Sequence, residues 1–185
     1  MTTGPDLAPA AGRTVQGWPL GLGLVFAVVI GVVVGGGFAT IVLVCGVMYL
    51  VAAVVGRPSA AWLAFLLTGP VVAMGPVLRA EGLALAIVGV LAVVFVVGGV
   101  ARGTWRIPVN RWQIPVAVLC GAVAVAALRA TSPLVAAGLV AAGLVGHAVW
   151  DVRHHRRNVV VSRSYAEFCA AFDVGLAVIV LLASR

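Results

Sequence analysis

The chain has 185 residues, of which 63% are hydrophobic and 9% charged, with a net charge of +7 and a mean hydropathy of +1.21. A water-soluble domain carries charge on about a quarter of its residues, so this composition excludes a soluble globular fold and makes lipid the solvent. All 12 basic residues are arginine. Their excess points to membrane topology and not to a nucleic-acid partner, because arginines collect on the cytoplasmic side of membrane proteins.

In chain order, residues 1–17 are polar and carry Pro5 and Pro9. They have little to bury and read as a disordered cytoplasmic tail. Residues 14–56 carry no charge. As helix at about 1.5 Å per residue they would reach about twice the thickness of a bilayer core. The stretch must therefore turn back, and Gly35, Gly36 and Gly37 are the natural place. The predicted helices are 18–34, 38–55, 60–78, 82–101, 112–130, 133–151 and 165–184. This is an all-α, polytopic bundle of seven spans, a single transmembrane domain over 18–185. A cleaved signal at the first apolar run would leave six. The third helix carries Pro70 and Pro76, each after glycine. It is expected to cross as one span with a kink, since re-entry would place more arginines outside than inside.

With the N-terminus inside, the inner segments hold Arg13, Arg57, Arg102, Arg106, Arg111, Arg153, Arg156, Arg157 and Arg163. The outer ones hold Arg79, Arg129 and Arg185. Nine against three selects N-inside, C-outside, in a cell inner (cytoplasmic) membrane. Trp18, Trp62, Trp105, Trp112 and Trp150 then fall at inner ends, where amphipathic rings anchor. Cys45, Cys120 and Cys169 lie in apolar segments and read as reduced thiols. Abundant glycine and alanine allow close helix packing within one bundle, with a homo-oligomer as the alternative use of the same faces.

The stretch "GHAVWDVRHHRR" at 146–157 holds every histidine of the chain. At about 100° per residue, His147, Asp151, His154 and His155 share one helix face. On the next helix Tyr165, Cys169 and Asp173 recur every fourth residue and share another. Counting from the inner membrane edge sets Tyr165 level with Asp151 and Cys169 level with His147. Asp173 then lies one turn deeper, near the midplane. An ionisable group there costs about 2.5–3.5 kcal/mol on insertion scales, so it is expected to face the bundle interior and a partner.

This constellation admits several chemistries. Asp151 and His147 could lock the last two helices together, with Asp173 a neutral hydrogen-bonding acid. Histidine, aspartate and cysteine also suit zinc or another divalent metal, held by His147, Asp151 and Cys169, or by Asp151 and His154 with a loop group. His147 and His154 are about 10.5 Å apart along the axis, too far to share one ion. A relay of Asp173, His147 and Asp151 would carry protons or a small solute. A thiol activated by imidazole would pair Cys169 with His147. In the loop, Arg153, Arg156, Arg157 and Arg163 face the anionic lipid headgroups of the inner leaflet, or hold a phosphate. Glu167 is expected to pair with one of these arginines.

The pattern H-x2-W-D-x2-H-H followed by C-x3-D, carried by His147, Trp150, Asp151, His154, His155, Cys169 and Asp173, resembles a family of small bacterial integral membrane proteins of uncharacterised function. The resemblance covers the last two helices and implies a shared site there. The helix count is also similar to that of the seven-helix membrane metal hydrolases that include alkaline ceramidases and progestin receptors. Those sites draw histidines from several helices, whereas the first five predicted helices here hold none. The functional expectation is a small integral membrane protein with a polar site of His147, Asp151, Cys169 and Asp173, open to the cytoplasm, with Tyr165 and His154 at its mouth. The alternatives are a membrane-embedded metal-dependent hydrolase and a proton or small-solute transporter.

Overall fold

A computed structural model describes residues 17–34 and 38–184. The predicted turn at Gly35, Gly36 and Gly37, the N-terminal tail through Gln16, and Arg185 lie outside the described residues. Within them the chain is helical and has no strand. The helices are α1 (Trp18–Val34), α2 (Ala39–Val55), α3 (Ala60–Val77), α4 (Glu81–Ala101), a one-turn α5 (Pro108–Arg111), α6 (Gln113–Arg129), α7 (Pro133–Arg157) and α8 (Arg163–Ala183), with a 3-10 turn at Thr104–Arg106 before α5. Five are long and apolar enough to cross a membrane: α3, α4, α5 continuing into α6, α7 and α8. The first two helices are apolar but shorter.

Local chemistry sets the helix ends. Gly56 ends α2 in the left-handed conformation, φ 70°, and its N–H donates to the Ala52 carbonyl. Ser132 caps α7, its hydroxyl accepting from the Val135 N–H, and Pro133 occupies the first turn, where no backbone donor is needed. Ser162 caps α8 in the same way, through the Tyr165 N–H. α3 runs unbroken through Pro70 and Pro76, as the single-span reading of the third helix requires.

The largest departure from the sequence reading lies at the C-terminal end of α7. The helix does not stop at Asp151 but continues to Arg157, and Asn158 ends it at φ 51°. Its last turn carries His154, His155, Arg156 and Arg157, and cationic side chains there complement the negative end of the helix dipole. The connection to α8 is therefore residues 158–162, not a loop of about thirteen residues. This shorter link slides the two helices by one turn relative to the expected register.

α2 is the central post. Every residue from Ala39 to Val54 is buried, and the helix packs along α6, α4 and α3 and touches α7. α8 is the second inner helix, flanked by α1 and α7. One end of the bundle gathers Trp18 and Trp62, stacked with centroids 6.5 Å apart, and Tyr165 set edge-on to Trp62 at 5.1 Å. The Ser162 N–H donates to the Pro58 carbonyl at 3.3 Å, and an Arg102 guanidinium nitrogen donates to the Val54 carbonyl at 3.3 Å, at that same end.

Gly46 marks the closest approach of α2 to α6: a Cβ there would lie 2.9 Å from the Ala117 Cα. Gly138, on α7, has nothing within 4 Å of such a Cβ. Gly46→Ala is expected to destabilise the bundle by about 1–3 kcal/mol through overpacking. Gly138→Ala should be neutral or stabilising by up to about 1 kcal/mol from the helix entropy gained. Thermal unfolding of both variants in one detergent checks the contrast.

Candidate functional site

Three helices build the site. α7 turns His147, Asp151 and His154 inward, and α8 turns Tyr165, Cys169 and Asp173 inward, all of them buried. These six lie on the faces expected from spacing, whereas His155, expected on the same face of α7, is only partly buried. α2 adds two residues that spacing alone had not drawn into the site: Cys45 and Tyr49, one turn apart and also buried.

At the centre, His147 Nδ1 lies 2.9 Å from Asp173 Oδ2 and 3.3 Å from Asp151 Oδ2. Both carboxylates thus approach the same ring nitrogen, and the Nδ1–Asp173 contact has hydrogen-bond length, with the proton on either partner. Asp151 Oδ1 accepts from the Tyr49 hydroxyl at 2.6 Å, and Asp173 Oδ1 accepts from the Cys45 thiol at 3.5 Å. Two buried polar atoms are left without a hydrogen-bond partner, His147 Nε2 and Asp151 Oδ2. Asp151 Oδ2 is near the imidazole, at 3.3 Å, but makes no hydrogen bond with it.

The electrostatics follow from composition. Both aspartates have 0% exposure, and among the described residues no arginine lies within ion-pair distance of either. One imidazole serves two carboxylates. Buried charge is costly unless paired, so this cluster favours an added cation, whether a proton or a metal ion.

The shifted register explains which groups meet. Asp173 lies opposite His147, where Cys169 was expected, and His155 lies 3.0 Å from Glu167. The expected pairing of Glu167 with a loop arginine is therefore replaced by a partly exposed histidine pair. The metal-ligand trio His147, Asp151 and Cys169 is corrected as well. The donors brought within 4.8 Å of one another are those of Cys45, His147 and Asp173. α2, wedged against the last two helices, supplies the thiol. Cys169 and Tyr165 lie instead on the wall of an apolar cavity that also includes Cys45.

His154 closes the side of the site toward the C-terminal end of α7. Its Nδ1 donates to the Trp150 carbonyl at 2.9 Å, and its Nε2 accepts from the Gln113 amide at 3.2 Å. Gln113 Oε1 in turn accepts from the Trp150 indole N–H at 3.1 Å. Tyr49 sits edge-on to His154 with centroids 4.8 Å apart. Beyond this plug, a surface pocket of about 280 Å³ is lined by Trp112, Trp150, Arg153, His154 and Arg157. The expectation of a site open to the cytoplasm is thus corrected: because α7 stays helical past Asp151, Trp150 and His154 are held in place to seal it. Arg153, Arg156, Arg157 and Arg163 are exposed around that end, with the Arg153 guanidinium 6.0 Å from the centre of the Trp150 ring.

No protein-family model matches the chain, and no curated protein or solved structure matches it significantly.

Cys45 and Tyr49 left one trace in the sequence. They are four apart, like the recurring positions of α8, and Tyr49 is one of two tyrosines in the chain. Tyr49→Phe removes the donor to Asp151 and leaves a carboxylate with neither oxygen bonded. We expect a loss of about 1–3 kcal/mol of stability. His155→Ala, at the part-exposed pair with Glu167, should cost at most about 1 kcal/mol. Chemical or thermal unfolding of the two variants side by side tests the difference.

Proposed function

We propose that this chain is a bacterial cytoplasmic-membrane protein of seven spans, N-terminus inside, whose buried Cys45, His147 and Asp173 form a divalent-metal centre. The single observation that carries the metal reading is the geometry of that trio. His147 Nδ1 and Asp173 Oδ2 are 2.9 Å apart, and Asp173 Oδ1 and Cys45 Sγ are 3.5 Å apart. One ligand atom from each of the three residues lies within 4.8 Å of the others, and ligands held at about 2.0–2.3 Å in a tetrahedral zinc site stand roughly 3.3–3.8 Å apart, so side-chain adjustment would be needed to close on an ion. Three protein ligands with a fourth position free is the arrangement of catalytic rather than structural zinc. Such an ion supplies a Lewis acid and a water of lowered pKa, and the reaction class that fits is metal-assisted hydrolysis within the membrane. The chain's own part is to hold the ligands. Tyr49 fixes Asp151, and Asp151 places a second carboxylate, with one oxygen unpartnered, beside the imidazole.

The topology is supported by the arginines. The bundle end tied together by Trp18, Trp62, Arg102 and Ser162 carries Arg57, Arg102, Arg106, Arg111, Arg153, Arg156, Arg157 and Arg163. The opposite end carries Arg79 and Arg129 among the described residues. Positive-inside bias makes the first end cytoplasmic. Its exposed arginines would each gain about 1 kcal/mol from the anionic leaflet. Reporter fusions after Arg79 should read as periplasmic and fusions after Arg102 as cytoplasmic; the opposite pattern would reject this orientation.

Elemental analysis of the detergent-purified chain tests the centre. About one zinc-class ion per chain is expected, lost in His147→Ala and sharply reduced in Cys45→Ser. A relay is the second reading, favoured by the row of groups that runs from His154 through Tyr49, Asp151 and His147 to Asp173. A metal-free preparation that moves protons into liposomes, and stops doing so in Asp173→Asn, would establish the relay in place of the metal centre.

A further inference from the structure

The buried centre has a neighbour that the proposed metal chemistry does not use. A cavity of about 310 Å³ lies at mid-bundle, walled by α1, α2, α3 and α8. Phe26, Cys45, Thr68, Gly69, Tyr165 and Cys169 are among its lining residues. Cys45 belongs both to this wall and to the ligand trio. α2 and α8 are the inner helices and form the floor. α1 and α3 are outer helices with little contact between them, so the opening lies in the seam between those two. Leu66, on the α3 side of the seam, is 66% exposed, and Phe26 and Phe65 meet edge-to-face across it with centroids 5.4 Å apart.

Depth and chemistry identify what fits. Phe26, Cys45 and Gly69 lie near the middles of their helices, so the opening faces hydrocarbon tails and not headgroups if these helices span. The lining is almost wholly apolar, and the volume is at the lower end of the range for small-ligand pockets, about 300–1,000 Å³. Protein interiors are packed to crystal-like density, and a void of this size open to hydrocarbon takes up the hydrocarbon beside it. We propose that this cavity holds one acyl chain of a bilayer phospholipid, inserted between α1 and α3 and lying against Cys45. Resting on the metal reading above, it says what lies beside that centre: hydrocarbon that enters sideways from the bilayer and rests against Cys45, one of the three ligands, not a solute from water. The seal formed by His154, Trp150 and Gln113 on the inner side agrees with a lateral route.

Gly69 provides the test. It lines the cavity, and a Cβ built on it meets nothing within 4 Å. A larger side chain there fills space without moving the backbone. The full chain is reconstituted in phosphatidylcholine vesicles carrying a trace of a phospholipid with a diazirine in its acyl chain, irradiated, and mapped by mass spectrometry. Wild type should show labelling concentrated on cavity residues and competed by unlabelled phospholipid. Gly69→Phe should reduce it at least about tenfold, equivalent to 1.4 kcal/mol of lost binding. Gly69→Leu, a smaller filler, should reduce it in the same direction. Gly89→Phe, on α4 with equally free surroundings and away from the cavity, should leave it unchanged. Equal labelling in Gly69→Phe and wild type would overturn the proposal, as would even labelling along the lipid-facing side of α4. Preferential labelling by an isoprenoid diazirine over the acyl probe would also overturn it. Metal content is measured on the same samples. Labelled protein without metal would reject the metal reading and keep the acyl site, and metal-loaded protein without cavity labelling would do the reverse.

Discussion

Two carboxylates facing one imidazole, all three buried, is the constraint around which the rest of this molecule is arranged. Asp151 and Asp173 approach His147 from two different helices. In a hydrocarbon solvent neither acid can be left facing outward. The pair therefore dictates that α7 and α8 lie side by side with these faces together. It also favours a third element that brings a donor to one oxygen of each acid, Oδ1 in both. α2 does so, with a hydroxyl from Tyr49 and a thiol from Cys45.

The burial of α2 follows from that role. A helix that must present polar groups to α7 and α8 while packing on α3, α4 and α6 has no face left for lipid, and its whole length from Ala39 to Val54 is interior. Small residues make this possible. At Gly46 the backbone of α6 comes so near that no side chain fits between, and close approach of this kind substitutes for the hydrophobic drive that is missing between helices in lipid. The same inner position brings Cys45 to the boundary between the polar cluster and the apolar cavity. One residue thus belongs both to the polar cluster and to the wall of the apolar cavity.

The two ends of the cluster differ in kind. Toward the arginine-rich end, His154, Trp150 and Gln113 form a hydrogen-bonded plug in which each side chain has a partner. Toward the middle of the bundle the wall is thiol, methyl and aromatic ring, with Phe26 and Phe65 meeting edge-to-face between α1 and α3. Polar groups that satisfy one another make a rigid closure, whereas apolar walls hold no shape-specific bonds and part at little cost. This contrast agrees with the proposed access from the lipid side.

Much of this was legible in the amino-acid order. Hydropathy and length determined a helical membrane bundle. The four-residue recurrence of His147 with Asp151, and of Tyr165, Cys169 and Asp173, determined which faces turn inward. The rule that ionisable groups avoid lipid marked Asp173 as central. What the order did not determine was which inward groups touch. That depended on where α7 ends, and the basic turn from Arg153 to Arg157 reads equally as loop or as helix C-terminus until the packed structure selects the helix. One turn of slip moved Asp173 onto His147 and Cys169 away from it. Nor could periodicity find Cys45 and Tyr49, because a helix buried on every side has no polar face to contrast with an apolar one. Residue types and local spacing determine faces; only tertiary packing, through helix length and the contacts of a fully buried third helix, decides register and partners.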